Sequence, residues 1–270
     1  MSKIKLVTID VDDTLLNSNG LLLDSTKEAI KQAIEQDVKV VLCSGRPLAG
    51  VSRYLSELGL RGNDQYVITY HGGVIETVSG EVISKHVLQT SDFDKMNNFS
   101  KLNQVHFNVL DDNSEIYTTN HCLNWFTVMQ AAENEAGLTI LDPDDLPINF
   151  TLVKGVYTGS IEELNRVEQG LRELFSSEYS VVRAAPTFLE VSNSKANKGN
   201  AVADLAKYLN IEKNQIMAIG DERNDLPMFK VAAISVAMNN GNEEVKKIAN
   251  YVTADNDHDG IAEAFKRFVL

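Results

Sequence analysis

The sequence predicts an α/β protein, an open Rossmann-like parallel sheet interrupted by an inserted α+β domain. Three observations predict it. Short apolar runs rich in β-branched residues, at 5–9, 38–43 and 66–69, alternate with helical patterns of about a dozen residues, as in a parallel sheet covered on both faces. Between 84 and 187 the texture changes to helix, strands, helix, strand, helix, strands. Beyond Asn197 the buried-strand pattern returns, at 215–219 and 232–237. The expected division is therefore 1–83 with 188–270 as the α/β domain, and 84–187 as a cap.

The elements follow in order. Residues 5–9 end at Asp10 and read as a buried strand. Ser25-Thr26-Lys27-Glu28 has the form of a capping box, with Ala29, Ile30, Ala33 and Ile34 on one helical face behind it. A second strand, 38–43, runs into Ser44-Gly45-Arg46; Pro47 suits the first turn of the next helix and Gly59 its end. Residues 66–69 form a third strand, stopped by Gly72-Gly73. In the middle, Ser91 and Ser160 open helices, the latter with Glu163 in a capping box. Residues 104–110 and 115–118, joined by Asp111-Asp112-Asn113, form an antiparallel hairpin. Later helices start near Lys198, Asn224 and Asn242.

The 270 residues suffice for one large or two unequal domains with a proper core. No run approaches the roughly 18–20 apolar residues of a membrane span. Met1-Ser2-Lys3-Ile4-Lys5 lacks the form of a signal peptide, so cytoplasmic residence is expected. Cys43 and Cys122 are too few for a disulfide framework or a thiolate metal site. A net charge of −13 disfavours nucleic acid and anionic membrane as partners. It equally repels phosphorylated metabolites, so an enzyme acting on them would need a local cation, from a metal and a lysine.

Two strand ends carry carboxylates: Asp10-Val11-Asp12-Asp13-Thr14 after Ile9, and Gly220-Asp221-Glu222-Arg223-Asn224-Asp225 after Ile219. Ligands of open α/β sheets bind outside the carboxyl ends of the strands. If both strands share one sheet, these carboxylates converge, a costly arrangement unless a hard cation such as Mg²⁺ neutralises it. Each cluster alone could simply cap a turn or helix. Ser44-Gly45-Arg46 offers a hydroxyl and backbone N–H groups to a phosphoryl oxygen, although it is also a common turn. Lys198-Gly199 begins a helix, where a lysine opposes the macrodipole unless an anion is near. Lys195 is its rival. Phosphoryl transfer needs little beyond positioning and charge neutralisation, and these residues supply the parts.

Asp10-Val11-Asp12-Asp13-Thr14-Leu15-Leu16, Ser44-Gly45-Arg46-Pro47, Lys198-Gly199 and Gly220-Asp221-Glu222-Arg223-Asn224-Asp225 resemble, in order, the four motifs of the haloacid dehalogenase superfamily. With Val236-Ala237-Met238-Asn239-Asn240, Val252-Thr253, Asn256 and Asp259-Gly260-Ile261-Ala262, the chain is similar to the Cof-type hydrolases with a C2B cap. The resemblance implies a Mg²⁺-dependent phosphatase for small phosphate monoesters, with sugar phosphates the leading substrates. Asp10 would be the nucleophile and Asp12 the general acid, then base. Ser44 and Lys198 would hold the phosphate. Asp10, the backbone carbonyl of Asp12 and Asp221 would bind Mg²⁺, with Asn224 and Asp225 ordering the site and Gly45, Arg46, His71 and Gly72 near the substrate. A monomer or weak homodimer is expected. Two positions depart from the pattern. Asp13 replaces the usual Gly and can adopt its left-handed angles. His71-Gly72-Gly73 replaces the usual Asn-Gly-Ala, which bears on the substrate and leaves hydrolysis intact.

The same motifs serve a phosphomutase or phosphotransferase, in which a sugar hydroxyl replaces water. A phospho-receiver module is about half this length, with its acceptor Asp on a middle strand. In a catalytically inert binding protein, the catalytic positions would not all be filled. Neither glycine-rich nucleotide fingerprint occurs.

Overall fold

The computed structural model describes residues 3–175 and 178–270. Met1 and Ser2, part of the stretch weighed above against a signal peptide, lie outside the described residues. The chain runs β1 (Leu6–Ile9), a tight turn (Val11–Leu15), α1 (Asp24–Glu35), β2 (Lys39–Cys43), α2 (Ala49–Glu57), β3 (Tyr66–Thr69), β4 (Val74–Thr77) and β5 (Val82–Lys85). There follow α3 (Ser91–Asn103), β6 (His106–Asp111), β7 (Ile116–Thr118), α4 (Trp125–Glu133), β8 (Leu138–Ile140), β9 (Leu152–Thr158), α5 (Ile161–Leu174), β10 (Tyr179–Ala185) and β11 (Phe188–Asn193). The chain ends with α6 (Lys198–Tyr208), β12 (Ile216–Gly220), α7 (Leu226–Val231), β13 (Ile234–Ala237), α8 (Glu243–Ile248), β14 (Tyr251–Val252) and α9 (Gly260–Phe268).

The chain splits into two compact units. The first comprises the described part of Met1–Gly45 together with Val51–Lys85 and Asn197–Leu270. Its eight-stranded sheet has the order β14-β13-β12-β1-β2-β3-β4-β5. It is parallel from β14 to β3, with β4 and β5 added antiparallel. Strand β1 lies between β12 and β2, and its four residues are fully buried, which is why three of them are large and apolar. Leu6, Val41, Cys43 and Ile68 pack in one core with Ala201, Val202 and Leu205 of α6 and Met228 and Phe229 of α7. Val7, Ile9, Val40 and Leu42 alternate to the opposite face and are also fully buried. From β1 the chain steps to β2 on one side and later returns to β12 on the other. That reversal makes the carboxyl end of β1 a topological switch point, where such folds bind ligands.

The second unit comprises Arg46–Gly50 and His86–Ala196. Its sheet has the order β10-β11-β9-β6-β7-β8. It is antiparallel except for the parallel β7–β8 pair. Phe107, Val109, Tyr157, Leu189 and Val191 form a core with Phe93 and Met96 of α3 and Leu164, Val167 and Leu171 of α5. The capping box of α5 is formed: Ser160 Oγ accepts the Glu163 amide and the Glu163 carboxylate accepts that of Ser160.

Three expectations change. The division expected after residue 187 falls after Ala196, because β11 pairs antiparallel with β9 and belongs to the second sheet. The capping box at Ser25 does not form: α1 begins at Asp24, and Ser25 Oγ donates to Asp259 instead. Strands β4 and β5 extend the sheet beyond Gly72-Gly73, where the sequence reading placed no strand.

Candidate active site

Parallel pairing sets the first two pieces side by side. Ile9 is in register with Ile219, and the Asp10 amide donates to the Ile219 carbonyl at 3.0 Å. Asp10 therefore stands level with Gly220, and Asp221 follows one residue later on the neighbouring strand. The Asp10 carboxylate accepts the Val11 amide at 2.7 Å through Oδ1. Asp12 is extended (φ −73°, ψ 133°) and Asp13 is left-handed (φ 56°), so the backbone angles that favour glycine are adopted here by an aspartate. The Leu15 amide to Asp10 and the Leu16 amide to Val11 close the turn. Two C-terminal asparagines brace it: Asn240 Nδ2 donates to the Asp13 carbonyl at 2.7 Å and Asn256 Nδ2 to that of Leu16 at 2.8 Å. The Asn256 amide donates in turn to Asn240 Oδ1. These asparagines appeared in the sequence only as part of the family pattern, with no role assigned.

The cation at this edge is Lys198. It is buried at the start of α6, with Nζ 2.6 Å from Asp10 Oδ1 and 2.7 Å from Asp225 Oδ1. Lys195 is exposed, its amide bound to Asn193. The anions that would justify a lysine at a helix N-terminus are thus present. Asp225 Oδ2 accepts the amides of Asp221 and Glu222 at 2.9 and 3.0 Å, which holds the loop after β12. A β-carbon on Gly220 would overlap the Asp225 carboxylate, so that close approach requires glycine. Thr14 Oγ1 donates to Asp221 Oδ1 at 2.7 Å, a contact that four residues of sequence spacing after Asp10 did not suggest.

Burial and the neighbouring Asp225 push the Asp10 carboxyl well above the usual carboxylate range, against the pull of Lys198. Burial likewise pushes Asp221 up to about 6, opposed by its Thr14 hydrogen bond. Burial alone would lower the Lys198 pKa; Asp10 and Asp225 outweigh it and hold the ammonium charged.

Ser44 follows β2 and is fully buried. Its amide donates to Ile68 at 2.9 Å, and its carbonyl accepts the His71 amide at 2.8 Å. His71 is left-handed (φ 57°), and its imidazole lies where a Gly45 β-carbon would be. Gly72 (φ 98°) packs its α-carbon against the Asn197 carbonyl, immediately before Lys198. Arg46 belongs to the second unit, where Nη1 donates to the Glu133 carbonyl. Of the acidic groups expected to converge, Asp10, Asp221 and Asp225 do, with carboxylate oxygens all within 4.8 Å of one another. Asp12, Asp13, Glu222 and Asn224 are exposed. The expected cluster is therefore one of three, because the turn after Asp10 carries the Asp12 and Asp13 side chains outward and Glu222 is exposed as well.

The family model for haloacid dehalogenase-like hydrolases matches residues 7–265. The chain belongs to this family. This hydrolase is 37% identical over 269 residues to YxeH of Bacillus subtilis (strain 168), covering 98% of both chains. It is 30% identical over 267 residues to 5-amino-6-(5-phospho-D-ribitylamino)uracil phosphatase YcsE of the same organism, covering 99% of this chain and 96% of that one. Its structure is similar to that of a haloacid dehalogenase-like hydrolase from Bacteroides thetaiotaomicron, with TM-score 0.89 and 30% identity over 98% and 99% of the chains. The sugar phosphatase BT4131, of subclass IIB, matches with TM-score 0.78 and 26% identity over 98% of both. Among the described residues of the hydrolase, no helix is long and apolar enough to cross a membrane.

The donor set suits a hard divalent cation, being all oxygen and carrying three carboxylates against one ammonium. Both oxygens of Asp225 are engaged by Lys198 and two amides, so the carboxylates suited to a cation are those of Asp10 and Asp221.

Proposed function

We propose that this hydrolase is a Mg²⁺-dependent phosphatase acting on small phosphate monoesters through an aspartyl-phosphate on Asp10. The observation that carries the reading is the placement of Asp10 at the switch point of the sheet, bonded to a buried Lys198 and clustered with Asp221. Asp10, Asp221 and the backbone carbonyl of Asp12 would hold Mg²⁺. When bound, the ion supplies charge neutralisation for the phosphoryl group and the anionic site.

The chain's own residues do the rest. Both bonds to Asp10 fall on Oδ1, so Oδ2 is the oxygen suited to attack phosphorus. The Oδ2–P bond forms as the ester P–O bond breaks, and Asp12 gives its proton to the departing oxygen. Asp12 then takes a proton from water, whose oxygen attacks phosphorus; phosphate leaves and Asp10 is restored. Lys198 and Ser44 hold phosphoryl oxygens, and the permanent charge of Lys198 suits it to this task. The exposure of Asp12 suits a group that meets both a leaving alcohol and water. Sugar phosphates and related phosphometabolites are the substrates this reading favours. A sugar phosphatase and a phosphoribityl-aminouracil phosphatase among the similar proteins support it. Substrate selection is assigned to the second unit, as a cap, since none of Asp10, Lys198, Asp221 or Asp225 comes from it.

The test separates the two aspartates. Asp10→Asn removes the nucleophile and abolishes any phosphoenzyme. Asp12→Asn, given an aryl or acyl phosphate that departs with little protonation, phosphorylates itself and stalls after about one turnover, because losing a general base costs about 10²–10⁴-fold. The adduct is labile to hydroxylamine and maps to the peptide containing Asp10. Phosphate found on a Ser, a His or another Asp would refute the assignment. Mg²⁺ affinity is measured in both variants, so that metal loss is not mistaken for a chemical defect.

A further inference from the structure

Tyr70, His71 and Gly72 are three successive residues with positive φ, at 52°, 57° and 98°. For the tyrosine and histidine such angles are strained, and they persist only where the surroundings enforce them. Here the surroundings are the two pieces assigned to the phosphoryl group. On one side the His71 amide holds the Ser44 carbonyl at 2.8 Å, and the imidazole occupies the space above the Gly45 α-carbon. On the other side Gly72 lies against the Asn197 carbonyl and the Ala201 side chain. Asn197 caps α6 through the Asn200 amide, and the next residue is Lys198.

The turn is thus a wedge between the Ser44-Gly45 segment and the first turn of α6. Gly45 has an ordinary φ, so its glycine is required by space: any β-carbon there would overlap the imidazole. Gly72 is required both by its angle and by the Asn197 backbone. The wedge has a fixed thickness, and Ser44 and Lys198 stand on its two sides.

We propose that His71 is a positioning residue which, through the left-handed turn it forms with Tyr70 and Gly72, sets the separation of Ser44 and Lys198. The proposal rests on the assignment of those two residues to the phosphoryl group. A misplacement of about 1 Å in such a site costs on the order of 10²-fold, so a displaced wedge is measurable.

The experiment compares His71→Gly, Gly45→Ala and the double variant. Glycine at 71 keeps the left-handed backbone and the amide while removing the ring. The readouts are kcat and KM for an aryl phosphate with Mg²⁺, inhibition by inorganic phosphate, and the melting temperature. His71→Gly is expected to lower kcat/KM about 10–100-fold and to weaken phosphate inhibition at least about fivefold. Gly45→Ala is expected to lose at least as much, because the ring and the segment are forced apart. In the double variant the overlap is gone, so its kcat/KM returns to that of His71→Gly alone instead of falling to the product of the two losses. Phosphate inhibition and kcat/KM within twofold of the parent in His71→Gly would overturn the proposal, as would multiplicative losses in the double variant. If His71→Gly melts below the assay temperature, His71→Asn replaces it in both comparisons, since asparagine also tolerates left-handed angles. Failure of the functional reading shows elsewhere, as hydrolysis surviving Asp10→Asn.

Discussion

Replacing Asp221 by asparagine should stabilise the metal-free protein while abolishing its response to Mg²⁺. The carboxyl is pushed from an ordinary 3.8 to about 6, chiefly because burial removes it from water, with Asp225 adding repulsion and the Thr14 hydroxyl and Lys198 opposing. A carboxyl raised in the folded state is one whose ionised form the fold disfavours. Its destabilisation is absent below about pH 4, where both states are protonated; it grows through the interval and is complete above about pH 6. A shift of roughly two units corresponds to about 3 kcal/mol. Asparagine carries no charge and keeps an oxygen for the Thr14 hydroxyl, so relief of about 1–3 kcal/mol is expected, or about 2–5 °C in Tm.

Calorimetry in EDTA at pH 7.5 measures this directly. About two-thirds of the difference should vanish at pH 4.5, where the native carboxylate is itself mostly protonated. Adding Mg²⁺ at about 100 times Kd stabilises the parent by about 2.7 kcal/mol if the ion binds only the folded state, and should leave the variant nearly unmoved. A variant that melts earlier than the parent in EDTA, or keeps the full Mg²⁺ response, would show that Asp221 is not a strained carboxylate held for a cation.

Two further outcomes follow from the same contacts. Lys198→Met should cost about 3–5 kcal/mol in urea denaturation, because it leaves Asp10 and Asp225 buried without their cation; a variant as stable as the parent would refute the coupling. Asn256→Ala leaves the Leu16 carbonyl without its side-chain donor, and should cost about 1–2 kcal/mol while lowering kcat more than it raises KM. Equal effects on every kinetic constant, or none, would deny Asn256 a role in holding the turn that carries Asp12.

The fold was legible where local pattern and tertiary demand coincide. Strand β1 reads as largely apolar because β12 and β2 flank it and both faces are covered, and Ser160 with Glu163 caps α5 because both groups lie within one turn. Reading failed where a long-range partner took over. Ser25 looks like a cap, but its hydroxyl bonds a residue 234 positions away. Strand β11 looks like the return to the first domain, yet its register is with β9. At the site, the strand-end carboxylates announced themselves, and the choice of Lys198 over Lys195 did not. That choice depends on where α6 starts, and hence on the Asn197 cap. The commitment of Asp225 to two amides and an ammonium has no sequence signature, because it fixes backbone through an acidic side chain indistinguishable from a metal ligand.

The acidic balance of the chain and the construction of the site answer one another. A protein of charge −13 repels phosphate esters over its surface, and a single ammonium in water would do little against that field. Lys198 is buried, where screening is weak, and two carboxylates keep it protonated. The cost is borne by Asp10 and Asp221, whose raised pKa values record how poorly the metal-free site tolerates its own anions. All four groups come from the ends of β1 and β12 and the start of α6, whose spacing the parallel register fixes. The second unit, Arg46–Gly50 with His86–Ala196, supplies none of them.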